Sequence, residues 1–426
     1  MRSKSYINNI LKEVLNKIKP SQEDMKKIEI SLDSFVSKLN AEIAKKKINS
    51  EIFIGGSFAK NTLIKKDHYD IDIFLRFEGH KEEELSKLTE SLIKGINTSV
   101  VHGSRDYFRI KIDERIFFEV VPVKKVTKTK DAENITDLSY SHVKYINKKI
   151  KNKNILDEIR IAKAFCYANH CYGAESYING FSGYALELLI YYYGSFAKFL
   201  KEMARIKSKT VIDIEKHYKN KNQVMMDVNS AKLNSPVILI DPTYKQRNAL
   251  AALSQETFDK FKKSAEDFLK KPSLEAFEVK KTDLEKIKKS AKSHGEHFIL
   301  IEALTDKQAG DIAGSKLLKF YKHLDQEISK FFRVKNKGFN YNKENSARYF
   351  FVVKSREEIL LQGPETKDEK NLIRFRKKHK TIFTKKNRMY AKEKVRQSIK
   401  EFLDDWKKKN HKKMTEMYIK ELRVVD

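Results

Sequence analysis

The residues best suited to chemistry lie in Gly55-Gly56-Ser57-Phe58-Ala59-Lys60-Asn61-Thr62 and, shortly after, Asp70-Ile71-Asp72-Ile73-Phe74. Residues two apart on a strand share a face, so Asp70 and Asp72 project together while Ile71 and Ile73 turn to the core. Paired carboxylates on one rigid strand suit two divalent cations about 3.5–4 Å apart, the arrangement used for in-line phosphoryl transfer. Gly55, Gly56 and Ser57 are small enough for backbone N–H groups to approach a triphosphate, and Lys60 adds charge. A third acid, Glu119, stands in the apolar run Ile116-Phe117-Phe118-Glu119-Val120-Val121-Pro122. An unpaired charge there would be expensive, so Glu119 is expected to complete the metal cage. An isolated Asp-x-Asp reads as an exposed strand face or a turn; the Gly-Gly-Ser before it and Glu119 after it favour the catalytic reading.

These residues need a scaffold. Apolar residues at helical spacing, first Ile7 to Ile18 and then Ile28 to Leu39, predict two helices separated by Pro20, with Ser21 an N-cap. Strands are expected at Glu51–Ile54, Tyr69–Phe77, Tyr107–Ile112 and Ile116–Val123, with a helix over Glu82–Ile93. Residues 1–135 therefore read as a mixed α/β domain. Residues 136–272 read as a helical domain, with long apolar faces at Ile155–Ala168 and Tyr184–Leu200. Residues 273–426 read as an α+β region with strands at His297–Ala303 and Tyr349–Val353, a helix over Ser315–Phe332 and a basic helical segment from Lys392 through Trp406.

Composition narrows the class. The 426 residues fit two to four domains at roughly 150 residues each. Eighty-eight Lys and Arg face 58 Asp and Glu, a formal charge of +30, and nucleic acid is the leading partner for such a surface. With 26 Phe and 19 Tyr the chain can fill real cores, which rules out wholesale disorder. Cys166 and Cys171, expected to share one helix, allow neither a disulfide framework nor a Cys-rich zinc site. With His170 they would offer only three ligands, and core packing is the default. The amino-terminal residues lack an apolar signal core and no segment reads as a membrane anchor, so a cytoplasmic location is expected.

The order Gly-Ser, spacer, acid-x-Asp and a later strand acid resembles the nucleotidyltransferase superfamily. Two further strings narrow the resemblance to the archaeal-type (class I) CCA-adding enzymes, the tRNA nucleotidyltransferases. One is Tyr172-Gly173-Ala174-Glu175 continuing into Gly180-Phe181-Ser182-Gly183-Tyr184-Ala185-Leu186-Glu187-Leu188-Leu189-Ile190 and ending at Tyr193-Gly194-Ser195-Phe196. The other is Ile240-Asp241-Pro242 with Arg247-Asn248-Ala249-Leu250-Ala251-Ala252-Leu253-Ser254. The similarity covers about the first 265 residues well. It implies an α+β multidomain chain: an α/β catalytic head, a helical nucleotide-selecting neck and an α+β body with a basic RNA-binding tail.

Carried over by motif, the catalytic and metal-binding acids fall on Asp70, Asp72 and Glu119, with Mg²⁺ as the implied cofactor. Gly56, Ser57 and Lys60, together with Lys163 and Tyr172, match the triphosphate-binding residues. Arg247 matches the arginine that reads the incoming base, and His142 is a looser match to a phosphate-contacting histidine. Two departures stand out. The family commonly has Glu first and Asp third, the reverse of Asp70 and Glu119, though all remain oxygen ligands for Mg²⁺. Lys60 stands where arginine is usual, so a bidentate phosphate grip becomes a point charge.

The stretch holding Arg374, Arg376, Lys377, Lys378, Lys380, Lys385, Lys386 and Arg388 interleaves with Phe375, Phe383 and Tyr390 and has no acid from Asn371 to Tyr390. Basic residues among aromatics suit RNA; a solvated charge run is the alternative. The implied function is addition of C, C and A to the 3′ end of tRNA from CTP and ATP without a nucleic-acid template. The implied partners are the tRNA 3′ end and elbow, with no membrane and a homodimer left open. A poly(A)- or oligoadenylate-type terminal transferase and a non-catalytic RNA-binding protein with a relic site are the competing readings.

Overall fold

Ser21, the residue expected to start the second helix, does so: its Oγ accepts from the Asp24 amide at 3.0 Å, satisfying one of the free N–H groups of a helix start. The computed structural model describes residues 2–103, 105–280, 282–394 and 397–425, and the chain divides into two compact units, Met1–Lys280 and Lys281–Asp426.

The first unit opens with helices α1 (Arg2–Ile18) and α2 (Gln22–Lys46), strand β1 (Ser50–Ile54), the short turn α3 (Gly56–Ala59), β2 (Tyr69–Phe77), α4 (Glu82–Leu92), β3 (Thr98–Val101), β4 (Tyr107–Lys111) and β5 (Ile116–Lys124). The five strands form one sheet in the order β1-β2-β5-β4-β3. Only β2 and β5 run parallel, pairing Asp70 with Phe117 and Asp72 with Glu119. Ile71, Ile73, Phe118 and Val120 are completely buried with Phe35 and Leu39 of α2 in one core, so the alternation of β2 and β5 leaves their acids on the opposite face.

Helices α5 (Ser139–Lys149), α6 (Lys153–Ala168), α7 (Gly183–Tyr193) and α8 (Phe196–Ala204) follow, then β6 (Thr210–Ile212), α9 (Lys221–Asp227), β7 (Val237–Asp241), β8 (Tyr244–Asn248) and α10 (Gln255–Lys270). Phe165, Phe181, Phe196, Phe199 and Phe261 fill the core of this part, and Ile10, Leu11 and Val14 of α1 join them.

Sequence periodicity misses several features here. The apolar run Tyr184–Leu200 is two helices, because Gly194 takes φ +77° to cap α7 and Ser195 Oγ caps α8; apolarity continues through the break. Cys171 lies beyond the end of α6, after Asn169 and the left-handed His170 (φ 54°), and both cysteines are buried. The small sheet β6-β7-β8 interrupts the helical region; its strands are three to five residues long, too short for an alternation to register.

In the second unit α11 (Leu284–Ser293), β9 (His297–Thr305), α12 (Asp311–Phe331), β10 (Phe332–Tyr341) and β11 (Ser346–Ser355) precede β12 (Glu358–Glu365), α13 (Glu369–Lys378), β13 (Thr381–Lys385), β14 (Arg388–Lys394), α14 (Ile399–Lys409), α15 (His411–Glu416) and β15 (Ile419–Val425). An antiparallel sheet β10-β11-β9-β15 packs α12 and α14 through Phe320, Leu324, Phe402 and Trp406. A second sheet, β12-β14-β13, carries the basic stretch. The segment expected to be helical from Lys392 begins as the end of β14 and turns helical only at Ile399, where Ser398 and Glu401 form a capping box. Among the described residues no helix is long and apolar enough to cross a membrane.

Candidate active site

The parallel register of β2 and β5 brings the three predicted acids to one face: Asp72 sits opposite Glu119, with Asp70 two residues before it. Burial pushes the Asp72 carboxyl up to about 6, Lys60 opposing and Asp70 adding to the rise. Gly56 reaches the same point from the loop after β1. It has φ +62°, and a Cβ there would lie 1.7 Å from Asp72 Oδ2, so the conformation and the close approach both require glycine. The Gly55 amide donates to the Asp72 carbonyl at 2.9 Å, which ties the Gly-Gly-Ser loop to the acid strand.

A cleft of about 150 Å³ opens beside these residues, lined by Ser57, Thr62, Lys66, Asp70, Asp72, Lys163 and Tyr172 among others. Lys60 and Lys163 meet beneath it on Glu187 of α7. Lys60 Nζ donates to Glu187 Oε2 at 2.6 Å and Lys163 Nζ to Oε1 at 2.8 Å. Thr62 Oγ1 donates to the same carboxylate at 3.0 Å and accepts from Lys163 at 2.7 Å. Burial alone would raise the Glu187 carboxyl, but the two ammonium groups hold it down to about 2. Burial draws Lys163 down to about 8 against the pull of Glu187. Two ammonium groups facing one carboxylate leave net positive charge under the cleft. Gly183 keeps the packing tight: a Cβ on it would stand 3.0 Å from the Tyr172 hydroxyl and 3.8 Å from Lys163 Cε.

His142 and Arg247 gather on Asp241 at the end of β7. His142 Nε2 lies 2.9 Å and Arg247 Nη1 2.7 Å from Asp241 Oδ2. The Tyr184 hydroxyl donates to Oδ1 at 3.1 Å and the Thr243 amide to the same oxygen at 2.8 Å. Burial would raise the Asp241 carboxyl, yet His142 and Arg247 keep it far below the usual carboxylate range. Burial lowers the His142 imidazole despite that partner, and its ring stacks on Tyr184 at 4.0 Å. Tyr184 also joins the two groups, its ring centroid lying 5.8 Å from both Lys60 Nζ and Arg247 Cζ.

The tail residues form a group of their own in the second unit. Arg374, Arg376, Lys377 and Lys378 are exposed on α13, Lys380 follows it, and Lys385 and Lys386 are exposed at the β13–β14 turn. Arg388 is half-buried and pairs with Glu365 at 2.9 Å. Phe375 packs on His379 at 4.3 Å and beneath Gly363, and Phe383 stacks on Tyr390 at 5.8 Å. The aromatics interleaved with the charges thus hold this small subdomain together, with Phe383 the most exposed of them.

Sequence reading missed Glu187, Thr62, Asp241 and Arg109. Glu187 had a signal, a lone acid in an apolar helical run, the same signal that picked out Glu119. Asp241 and Thr62 lie inside the motif strings, where nothing in their spacing marks the partners they meet. Arg109 sits opposite Glu119 across the antiparallel β4–β5 pair. Its Nη2 donates to Asp70 Oδ1 at 2.9 Å, and its Nε is 3.9 Å from Glu119 Oε1. Three carboxylates on one face are the hard oxygen donors that Mg²⁺ takes, so the donor set fits that ion. Among the described residues, however, no three such side chains converge into a ready metal cage, and Asp70 is turned to Arg109 and His68.

Two family models match the first unit: a tRNA nucleotidyltransferase second domain over residues 157–278 and a second messenger oligonucleotide or dinucleotide synthetase domain over residues 6–154. The CCA-adding enzyme of Methanocaldococcus jannaschii is 33% identical over 403 residues, covering 90% of this chain and 87% of that one. The CCA-adding enzyme of Nanoarchaeum equitans is 38% identical over 242 residues, 56% of this chain and 59% of the relative. Among solved structures, a Cid1 poly(U) polymerase with Mg and 3′-dATP bound aligns with a TM-score of 0.50 at 13% identity, covering 65% of this chain and 99% of that one. At that identity the likeness is one of fold.

Proposed function

Because the chain belongs to the CCA-adding enzymes, the tRNA nucleotidyltransferases that add C, C and A to tRNA 3′ ends, we propose that its reaction runs on the face shared by Asp70, Asp72 and Glu119. The register of Asp72 beside Glu119 on parallel strands carries this reading, since it supports three carboxylates on one rigid surface next to a cleft.

Asp70 and Asp72 would hold two Mg²⁺ ions, with Glu119 completing the one nearest the primer. Bound there, the ions would activate the terminal 3′ hydroxyl as nucleophile toward the α-phosphorus of CTP or ATP and neutralise the departing pyrophosphate. Gly56 fixes Asp72, and Ser57 and Tyr172 line the cleft where the triphosphate would lie. Lys60 and Lys163 supply positive charge beneath it while Glu187 keeps both in place. Burial pushes the Tyr172 hydroxyl up, so it stays a hydrogen-bond donor. Arg247, its Nη1 held by Asp241 and its Cζ 5.8 Å from the Tyr184 ring, would read the base edge, with His142 on the same carboxylate near the phosphates. The exposed face of α13 and the β13–β14 turn would meet tRNA phosphates at the elbow.

The test is incubation of tRNA lacking its terminal CCA with each nucleotide alone and then in pairs. CTP alone should add two residues, and ATP one residue only after them. Long homopolymeric tails would instead support a poly(A)-type transferase, a reading that the relatives do not favour. The absence of any metal-dependent incorporation would support a relic site.

A further inference from the structure

Arg109 reaches two of the three proposed catalytic acids. Its Nη2 is 2.9 Å from Asp70 Oδ1 and its Nε 3.9 Å from Glu119 Oε1. It comes from β4, where it faces Glu119 in the sheet register, and its guanidinium carbon lies 4.0 Å from the centre of the ring of Phe117, the residue opposite Asp70 in the β2–β5 register. Strand geometry therefore delivers the guanidinium to the acid face. Its hold there is incomplete. Nε is buried and makes no hydrogen bond, a state that costs free energy because the donor has left water without gaining an acceptor. The Arg109 and Asp70 side chains keep 31% and 37% exposure, so solvent can take up the guanidinium if it leaves.

Without a counter-charge, three carboxylates on one face would repel one another. A guanidinium can relieve that repulsion, but it offers only donors in a plane, and it occupies an oxygen of Asp70 that an octahedral ion would use. Resting on the reading of Asp70, Asp72 and Glu119 as metal ligands, we propose that Arg109 is the resident counter-ion of the acid face and is displaced from Asp70 when a divalent cation binds. Arg109 thereby positions Asp70 before the ion arrives and sets how tightly the ion is held.

The experiment titrates Mn²⁺ into the full chain, with free ion followed by electron paramagnetic resonance, for the wild type, Arg109→Gln, Arg109→Met and Asp72→Asn. Removing the competing cation should tighten Mn²⁺ binding by about three- to tenfold, the range of a partly exposed charge pair acting on more than one acid. The Met variant keeps an unbranched stem against Phe117 and serves if the Gln variant does not fold. Melting curves give an independent readout. Without metal, the Arg109 variants should melt below wild type, and Mn²⁺ should raise their melting temperatures more than it raises that of wild type. A merely structural arginine would lower the curves by the same amount with and without the ion. Arg109 variants that bind Mn²⁺ no more tightly than wild type, while Asp72→Asn loses it, would overturn the counter-ion role alone. If Asp72→Asn binds Mn²⁺ as wild type does, the acids are not its ligands and the underlying reading falls with the inference.

Discussion

Gly56 and Asp72 are fitted to one another: the loop backbone at φ +62° passes so close to the carboxylate that a methyl group on Gly56 would stand 1.7 Å from Asp72 Oδ2. Gly56→Ala must either displace that carboxylate or unwind the loop. Misplacement of a reacting group by about 1 Å can cost on the order of a hundredfold in rate, so incorporation of C and A should both fall by about that much while the chain stays folded by circular dichroism. Asp72→Ala should abolish both. A variant that keeps A addition but loses C addition, or the reverse, would show that this carboxylate serves selection.

Glu187→Gln leaves two buried ammonium groups without their counter-charge. Breaking a buried pair on one side typically destabilises by about 3–5 kcal/mol, which urea unfolding at neutral pH should register. The pH dependence has a definite sign. Glu187 titrates near 2 in the folded chain against 4.5 as its ordinary value, so the unfolded state takes up the proton first as pH falls. Its stabilisation is complete above 4.5 and is lost as pH drops toward 2, and the gap between wild type and variant should close over that interval. A gap that persists unchanged at pH 2.5 would assign the loss to packing.

Arg247→Ala tests selection apart from chemistry. The guanidinium is anchored on Asp241 and offers donors only, while cytosine and adenine differ from uracil and guanine in which edge atoms accept. Well-placed base contacts of this kind discriminate by about 1–3 kcal/mol. The kcat/KM for CTP and ATP should therefore fall roughly ten- to a hundredfold and relative misincorporation of UTP or GTP should rise, with metal dependence unchanged. Equal loss for all four nucleotides would mean that Arg247 binds phosphate or supports the fold.

The exposed charges of α13 permit a salt test. Each phosphate contact contributes about 0.7–0.9 to the log–log slope of affinity against salt, so replacing Arg374, Arg376, Lys377 and Lys378 with Ala should flatten that slope by up to about three to four. Turnover on a minihelix lacking the tRNA elbow should change little. An unchanged slope on full-length tRNA would make this helix a solvated face.

Much of the site was legible because its signals are local. Asp70 and Asp72 announce themselves by period two, Glu119 by its apolar flanks, and Ser21 by its place before an apolar period. The pairing of β2 with β5 was not legible, because register between strands separated by some forty residues is decided by which faces bury together, as Ile71 and Phe118 do. Lys60 and Lys163 were found as charges, but their common partner was not, since Glu187 lies 127 residues from one and 24 from the other. Arg109 escaped for the same reason: its partners are set by cross-strand neighbours, and nothing in Tyr107-Phe108-Arg109-Ile110 marks them. The break at Gly194 and the short strands of β6–β8 were lost because hydrophobic runs do not record where a helix is capped or how three residues pair.

The buried meeting of Lys60 and Thr62 with Lys163 and Glu187 also bears on how such a chain can change over generations. A carboxylate contributed by the helical half neutralises a lysine contributed by the α/β half, and the two are 9% or less exposed. Neither half can be traded for a homologous segment, or drift alone at these positions, without stranding a charge in the interior. Lys60 and Glu187 are expected to be inherited as a matched pair, so that an exchange of catalytic halves between relatives would succeed only where the incoming segment brings a cation of the right length.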